Sequence, residues 1–341
     1  MKKFSFILPC YNVAPYVGRC IESIEAQDIP QAEYEIICVD DCSKDDTAQT
    51  IEEYMNQYSN IVLHRHTVNK TAGGARNTGI ELAKGKYIWF VDPDDAVQPN
   101  VLGKLYAAAE AVKTDTLMFN YQTVLEDGRI DAQKVFDDFP QPLSGPEFLE
   151  AHNISIHNVV SVYAGIYSRD FLMKNNLRFP EIKASQDVVF IWESLLASQR
   201  YASIADNCYS YIRRDNSTTG NKGKFTAKAI LSHCLLFGAE LGRILTAFST
   251  EIKPSIKEEI IDTQRSAINR KSRNIIYASP NEKKLFYNSL HEHKSKIEML
   301  KPLMDRKTKN ILDFKSLYIL WRLRLWGYTW SNKYNHRPQT Y

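Results

Sequence analysis

The stretch Tyr87-Ile-Trp-Phe-Val91 runs straight into Asp92-Pro93-Asp94-Asp95, and no other stretch constrains the fold as much. Five consecutive apolar residues of aromatic and β-branched type read as a strand buried on both faces. Pro93 cannot donate to a ladder and ends that strand. Three carboxylates then stand within four residues, where the strand emerges. In open α/β sheets, ligands bind beyond the carboxyl ends of the strands. Like charges this close repel, and a hard cation such as Mg2+ or Mn2+ takes oxygen ligands of this kind. A solvated acidic turn would explain an isolated D-x-D-D. The buried strand in front of it favours a metal and diphosphate site.

The rest of the first 125 residues repeats this alternation. Phe4–Leu8 reads as a strand stopped by Pro9, and Pro15 suits the first turn of a helix with Tyr16, Cys20, Ile21 and Ile24 on its apolar side. Glu35–Val39 is a second strand ending at Asp40-Asp41, and Ser43 with Asp46 has the form of a capping box. Strands over Ile61–Leu63 and Thr116–Val124, with helices over Gly73–Ala83 and Asn100–Val112, complete a largely parallel sheet covered on both faces. Further on, Gly145-Pro146 opens a helix, Ala164–Tyr167 is strand-like, Asp187–Leu196 is helical and Tyr201–Arg213 returns to the sheet. A boundary is expected in the Asn, Ser, Thr, Gly and Lys-rich stretch Asn216–Lys224, giving a first domain over 1–220 and a helical region, basic and aromatic, over 221–341.

Net charge and cysteine usage narrow the function classes. A formal charge of +3 argues against a dedicated nucleic-acid binder. Residues 301–341 nevertheless hold nine bases against two acids, a local +7. Within them, Phe314–Trp326 followed by Trp330 reads as an amphipathic segment for an anionic membrane surface, or as a helix packed on the first domain. The six cysteines form no C-x-x-C pair, which suits a reducing compartment, so a cytoplasmic place at the inner face of the membrane is expected. Phe4–Leu8 is a strand rather than a signal peptide, and no stretch reaches the ~18 apolar residues of a membrane span.

Four motifs, Phe6-Ile-Leu-Pro-Cys-Tyr-Asn12, Val39-Asp-Asp-Cys-Ser43, Ala75-Arg-Asn-Thr-Gly79 and Phe90-Val-Asp-Pro-Asp-Asp95, resemble in order and spacing those of family 2 glycosyltransferases. The resemblance covers roughly residues 3–215. It implies the GT-A fold, a Rossmann-like and mostly parallel sheet with helices on both faces, here followed by a C-terminal helical region. It also implies an inverting, metal-dependent transfer of a hexose from a nucleotide-diphospho-sugar, a UDP-sugar in this reading. The acceptor would be a hydroxyl of a glycan or lipid-linked glycan precursor in surface polysaccharide synthesis. Carried over residue by residue, Pro9, Tyr11 and Asp41 would contact the base, with Asp40 supporting the loop. Arg76 and Asn77 would border the nucleotide, Asp94 the ribose, and Asp95 the Mn2+ or Mg2+ that bridges the diphosphate. Asp187 would be the catalytic base. Gln186 replaces the family's glutamate before it, and Cys42 replaces the usual glycine after Asp40-Asp41.

The chemistry sets matching demands. An acceptor hydroxyl must lose a proton as it attacks, so a carboxylate within hydrogen-bond reach is needed, and Asp187 fills that part. Charge developing on the leaving diphosphate calls for a Lewis acid or a cationic side chain, and Arg213 and Arg214 are candidates for the latter. His64 and His66 alternate on a strand without a third ligand nearby and read as structural. A nucleotidyltransferase would need a glycine-rich, lysine-bearing loop after the first strand, where Pro9-Cys-Tyr-Asn12 stands instead. A non-catalytic sugar-nucleotide or glycan-binding protein is the other alternative, and Gln186 is the feature that favours it.

Overall fold

A computed structural model describes residues 2–125, 127–133, 135–159, 161–182, 185–213, 230–231, 235–250, 252–271, 275 and 279–304. Arg214, the expected boundary at 216–224, and the basic aromatic tail with Phe314–Trp326 and Trp330 lie outside the described residues.

Two apolar runs with no polar face, β1 (Phe4–Cys10) and β2 (Tyr34–Asp40), are buried at every position. They pair in parallel from Phe4↔Tyr34 to Cys10↔Asp40. On the far side of β2 lies β3 (Ile61–Arg65), and β4 (Tyr87–Phe90) runs beside β1, both in parallel. Pro9 does not stop β1, because pairing with β4 already ends at Ile7↔Phe90 and the residue without an N–H falls past it. After the short β5 (Ala96–Val97) the order departs from a purely parallel sheet. The strand β9 (Gly165–Ser168) inserts antiparallel between β4 and the long β6 (Thr116–Val124). Beyond β6 lies β10 (Tyr201–Ile212), parallel to it, with β5 antiparallel on the outer edge. The path is thus β3-β2-β1-β4-β9-β6-β10-β5. Off this path, β7 (Ile130–Gln133) pairs antiparallel with β6, and β8 (Phe139–Leu143) antiparallel with β10.

The helices that position the site follow their sequence signals, with local differences. In α1 (Ala14–Glu25), Val17, Cys20, Ile21 and Ile24 are the buried stripe, so Val17 takes the place expected for Tyr16. The helix α2 (Thr47–Met55) is not capped by Ser43. Asp45 accepts from the Thr47 N–H at 3.2 Å, while the Ser43 hydroxyl accepts from Asn12. The helices α3 (Thr71–Leu82) and α4 (Leu102–Val112) follow β3 and β5. A complete capping box, Ser144 with Glu147, starts α5 (Gly145–Ala151), and α6 (Arg169–Lys174) and α7 (Gln186–Ala197) lie between β9 and β10. The core of this unit is largely aromatic, with Phe4, Phe6, Tyr34, Tyr87, Trp89 and Phe119 all at most 2% exposed. This unit comprises residues 1–223 and 240–260.

The second unit, residues 224–239 and 261–341, has its own core. It is built from Ile230, Leu231, Leu235, Ile268, Ile275, Phe286, Leu290, Leu300 and Met304. After β10 the described α-helices include α8 (Phe237–Ala247) and α9 (Pro254–Ser266), both partly within residues 240–260 of the first unit, then α10 (Pro280–Glu292) and α11 (Lys294–Leu300). Among the described residues, no helix is long and apolar enough to cross a membrane.

Candidate active site

The carboxyl ends of β1, β2 and β3 are level, with Cys10 beside Asp40 and Asp40 beside Arg65. The loops that leave them are laced together. Asn12, at a left-handed φ of 53°, donates its N–H to Ser43 Oγ (3.0 Å) and accepts the Lys44 N–H on Oδ1 (2.7 Å). Val13 donates to Thr47 Oγ1 (2.8 Å). Over this seam Tyr11 is 48% exposed, while Pro9 behind it is buried. Asp40 supports the loop, accepting the Ser43 N–H at 3.0 Å. Cys42 holds the left-handed conformation (φ 66°) that glycine adopts without cost, at about 1–2 kcal/mol for an L-residue, and its thiol donates to the His66 carbonyl at 3.1 Å. The turn therefore forms without glycine.

Asp41 is 2% exposed. Its Oδ1 lies 2.7 Å from His66 Nδ1 and accepts the Lys70 N–H at 2.8 Å. Its Oδ2 is buried and has no hydrogen-bond partner among the described residues. Arg76 Nε, on α3, and Gln186 Oε1, at the start of α7, are in the same condition.

Arg76 and Asn77 tie α3 to the Asp92 turn and to the segment around Phe179. Asn77 uses both ends of its amide on Phe179, donating from Nδ2 to its carbonyl (2.9 Å) and accepting its N–H on Oδ1 (2.8 Å). Arg76 is 6% exposed, donates from Nη2 to Asp92 Oδ1 (2.7 Å) and lies over the Phe179 ring at 5.2 Å. The approach here is close: a Cβ on Gly73 would stand 3.2 Å from Phe179 Cβ and 3.4 Å from Gln186 Cγ. These contacts bind the start of α3 to the segment that leads into α7. In the first turn of α7, Asp187 accepts the Val188 N–H at 3.0 Å. Burial pushes its carboxyl above the usual range, Arg76 draws it back, and Asp92 raises it further.

The Asp92–Asp95 turn is strapped to β10. Tyr209 Oη accepts the Asp92 N–H (3.1 Å) and donates to Asp95 Oδ2 (2.8 Å), and Ile212 donates its N–H to Asp95 Oδ1 (2.7 Å). Tyr209 in turn stacks on Tyr163 at 4.4 Å. Asp95 is 1% exposed, and each of its oxygens accepts one hydrogen bond from β10. Its neighbours Asp92 and Asp94 are half-buried. Among the described residues no group of three or more His, Cys, Asp or Glu side chains stands together. Arg213 is exposed at the end of β10, its N–H donating to the Val124 carbonyl at 2.9 Å.

Burial, with Asp92 next in weight, pushes the Asp95 carboxyl up to about 8. A carboxyl raised in the fold contributes stability below its unfolded value, and that contribution is lost as pH rises through the folded one. From about pH 4 to about pH 8, the unfolding midpoint of the wild type should fall more steeply than that of Asp95→Asn. Parallel pH profiles in a thermal melt would contradict the assignment.

Residues 5–171 match the profile of glycosyl transferase family 2. The chain belongs to that family. It is 30% identical over 233 residues to the poly(ribitol-phosphate) beta-N-acetylglucosaminyltransferase TarS of Staphylococcus aureus, covering 68% of this chain and 38% of that protein. It is 30% identical over 216 residues to a poly(ribitol-phosphate) beta-glucosyltransferase of Bacillus spizizenii, covering 62% and 33%. The chain thus spans little more than a third of these relatives. The crystal structure of S. aureus TarS 1–349 in complex with UDP-GlcNAc superposes with a TM-score of 0.66 at 23% identity, over 92% of this chain and 86% of that one. The family 2 chain described here therefore has the GT-A fold, with β9 entering antiparallel between the two parallel blocks.

The family 2 motifs lead to Tyr11, Asp41, Asp92–Asp95 and Asp187 but not to His66, Tyr163 or Tyr209. The alternation of tyrosines at 209 and 211 on a returning strand was the available signal for Tyr209.

Proposed function

We propose that the protein is an inverting glycosyltransferase that moves a hexose from a UDP-sugar to a hydroxyl of a surface polysaccharide or polyol-phosphate glycan. The observation that carries this reading is the buried Oδ2 of Asp41, unpartnered among the described residues, at the loop where the exposed Tyr11 follows Cys10, whose carbonyl accepts the Asp41 N–H. Together they suit a nucleobase that stacks on one face and donates a ring N–H. The beta-N-acetylglucosaminyl and beta-glucosyl activities in the relatives' names support the donor and acceptor classes.

In this reading Tyr11 stacks the base and Asp41 accepts its N–H, with Pro9 forming the floor. The half-buried Asp94 and Asp92 border the ribose and diphosphate and would hold a divalent cation there, which when bound would neutralise charge on the leaving group. Arg213 stands at the strand end for the same anion. Asp187 removes the acceptor proton, and Arg76 opposes the rise that burial imposes on that carboxyl. A single carboxylate base and direct attack on the anomeric carbon give inversion. Arg76 and Asn77 join the Asp92 turn and the Phe179 segment. Gln186 leaves Asp187 without a charged neighbour in sequence.

Calorimetry of UDP with Mn2+, and then with EDTA, tests this on the wild type and on Asp94→Asn. Binding that needs the cation and is weakened at least about tenfold in the variant is expected, the value of about 1.4 kcal/mol. If no nucleoside diphosphate binds under any condition, the transferase reading falls and a glycan-binding role replaces it.

A further inference from the structure

His66 determines which oxygen of Asp41 remains unpartnered. Both side chains are 2% exposed. The ring bridges two elements, with Nδ1 2.7 Å from Asp41 Oδ1 and Nε2 2.9 Å from Thr78 Oγ1 on α3. A carboxylate only accepts, so Nδ1 donates to Asp41 Oδ1, while Nε2 and the Thr78 hydroxyl share a hydrogen bond. The ring is fixed from behind as well. The His66 N–H donates to the Asp40 carbonyl at 2.9 Å, and the Cys42 thiol donates to the His66 carbonyl. Because the Lys70 N–H also donates to Oδ1, two donors hold that one oxygen. The other oxygen is left buried with no partner among the described residues. Such an acceptor is costly to leave unmade, which points to a donor supplied from outside the chain.

We infer that His66 is a positioning residue that aims Asp41 Oδ2 at a nucleobase ring N–H and so sets a preference for uracil over cytosine. The inference rests on the nucleotide site proposed above. Uracil carries a proton on the ring nitrogen between its two carbonyls. Cytosine presents a lone pair at the same position, which a carboxylate repels. The preference would therefore come from the side chain that pins Oδ1, without any contact between His66 and the nucleotide.

The test is calorimetric affinity for UDP and for CDP at fixed Mn2+, with circular dichroism to confirm folding. The wild type is expected to prefer UDP by about tenfold or more, the scale of one hydrogen bond to a charged group. His66→Leu should lose most of that ratio, chiefly through weaker UDP binding. His66→Asn, whose amide can donate from the place of Nδ1, should restore it. Should His66→Leu not fold, Thr78→Val carries the test by releasing the ring from α3, and the ratio should again fall. A merely structural role would weaken UDP and CDP alike, and an unchanged ratio in either variant overturns the inference while leaving the nucleotide site intact. A wild type that binds neither nucleotide overturns the site reading itself and the inference with it.

Discussion

Asp187→Asn is expected to lower turnover by about 10²–10⁴-fold while leaving UDP affinity within about twofold, because it removes a general base and nothing that holds the nucleotide. The amide keeps the shape of the side chain and can still accept the Val188 N–H that the carboxylate accepts at 3.0 Å. It cannot take a proton from an attacking hydroxyl. The same carboxyl sets the pH response. Only the ionised form serves as base, and burial raises its pKa, so kcat/KM of the wild type should fall as pH drops through that raised value. Asn at 187 should erase this acid limb. The measurement is the initial rate of UDP release from a UDP-hexose with a polyol-phosphate acceptor, across pH. Turnover near that of the wild type would move the base to another residue.

Trp89→Ala is expected to cost about 3–5 kcal/mol of stability, the range for truncating a large aromatic in a packed core. Trp89 is wholly buried, with its ring 5.5 Å from Phe6 and 5.0 Å from Phe119. Its Nε1 donates to the Tyr163 carbonyl at 2.9 Å, so alanine leaves both a cavity and a half-buried carbonyl without its donor. The consequence reaches the Asp92 turn, since Tyr163 stacks on the Tyr209 that straps that turn. A melting midpoint lower by roughly 10 °C is the expected reading, taking a few degrees per kcal/mol. A change of only a degree or two would mean that Phe6 and Phe119 close the gap.

The alternation of strands and helices was plain in the sequence because apolar period and turn residues agree over the first 125 positions. Strand order was not. A four-residue strand such as Gly165–Ser168 carries no mark of direction, and only the register Tyr87↔Ser168 shows that it runs antiparallel. The site divides in the same way. Motif spacing put Asp41 and Asp94 just past strand ends and Asp187 at a helix start, which is where the structure has them. It does not tell where a side chain points. Asp95 precedes β5, which pairs with β10, and its carboxylate accepts from Tyr209 and Ile212. Asn77 and Arg76 likewise bond to Phe179 and Asp92. His66 reads as structural on spacing alone, and only the contact with Asp41 gives it a part.

Because Asn77 closes both ends of its amide on the backbone of Phe179, the tie does not depend on what side chain residue 179 carries. A substitution at 179 would therefore leave α3 tied to this segment, while changing the ring packing on Phe90 and Phe190.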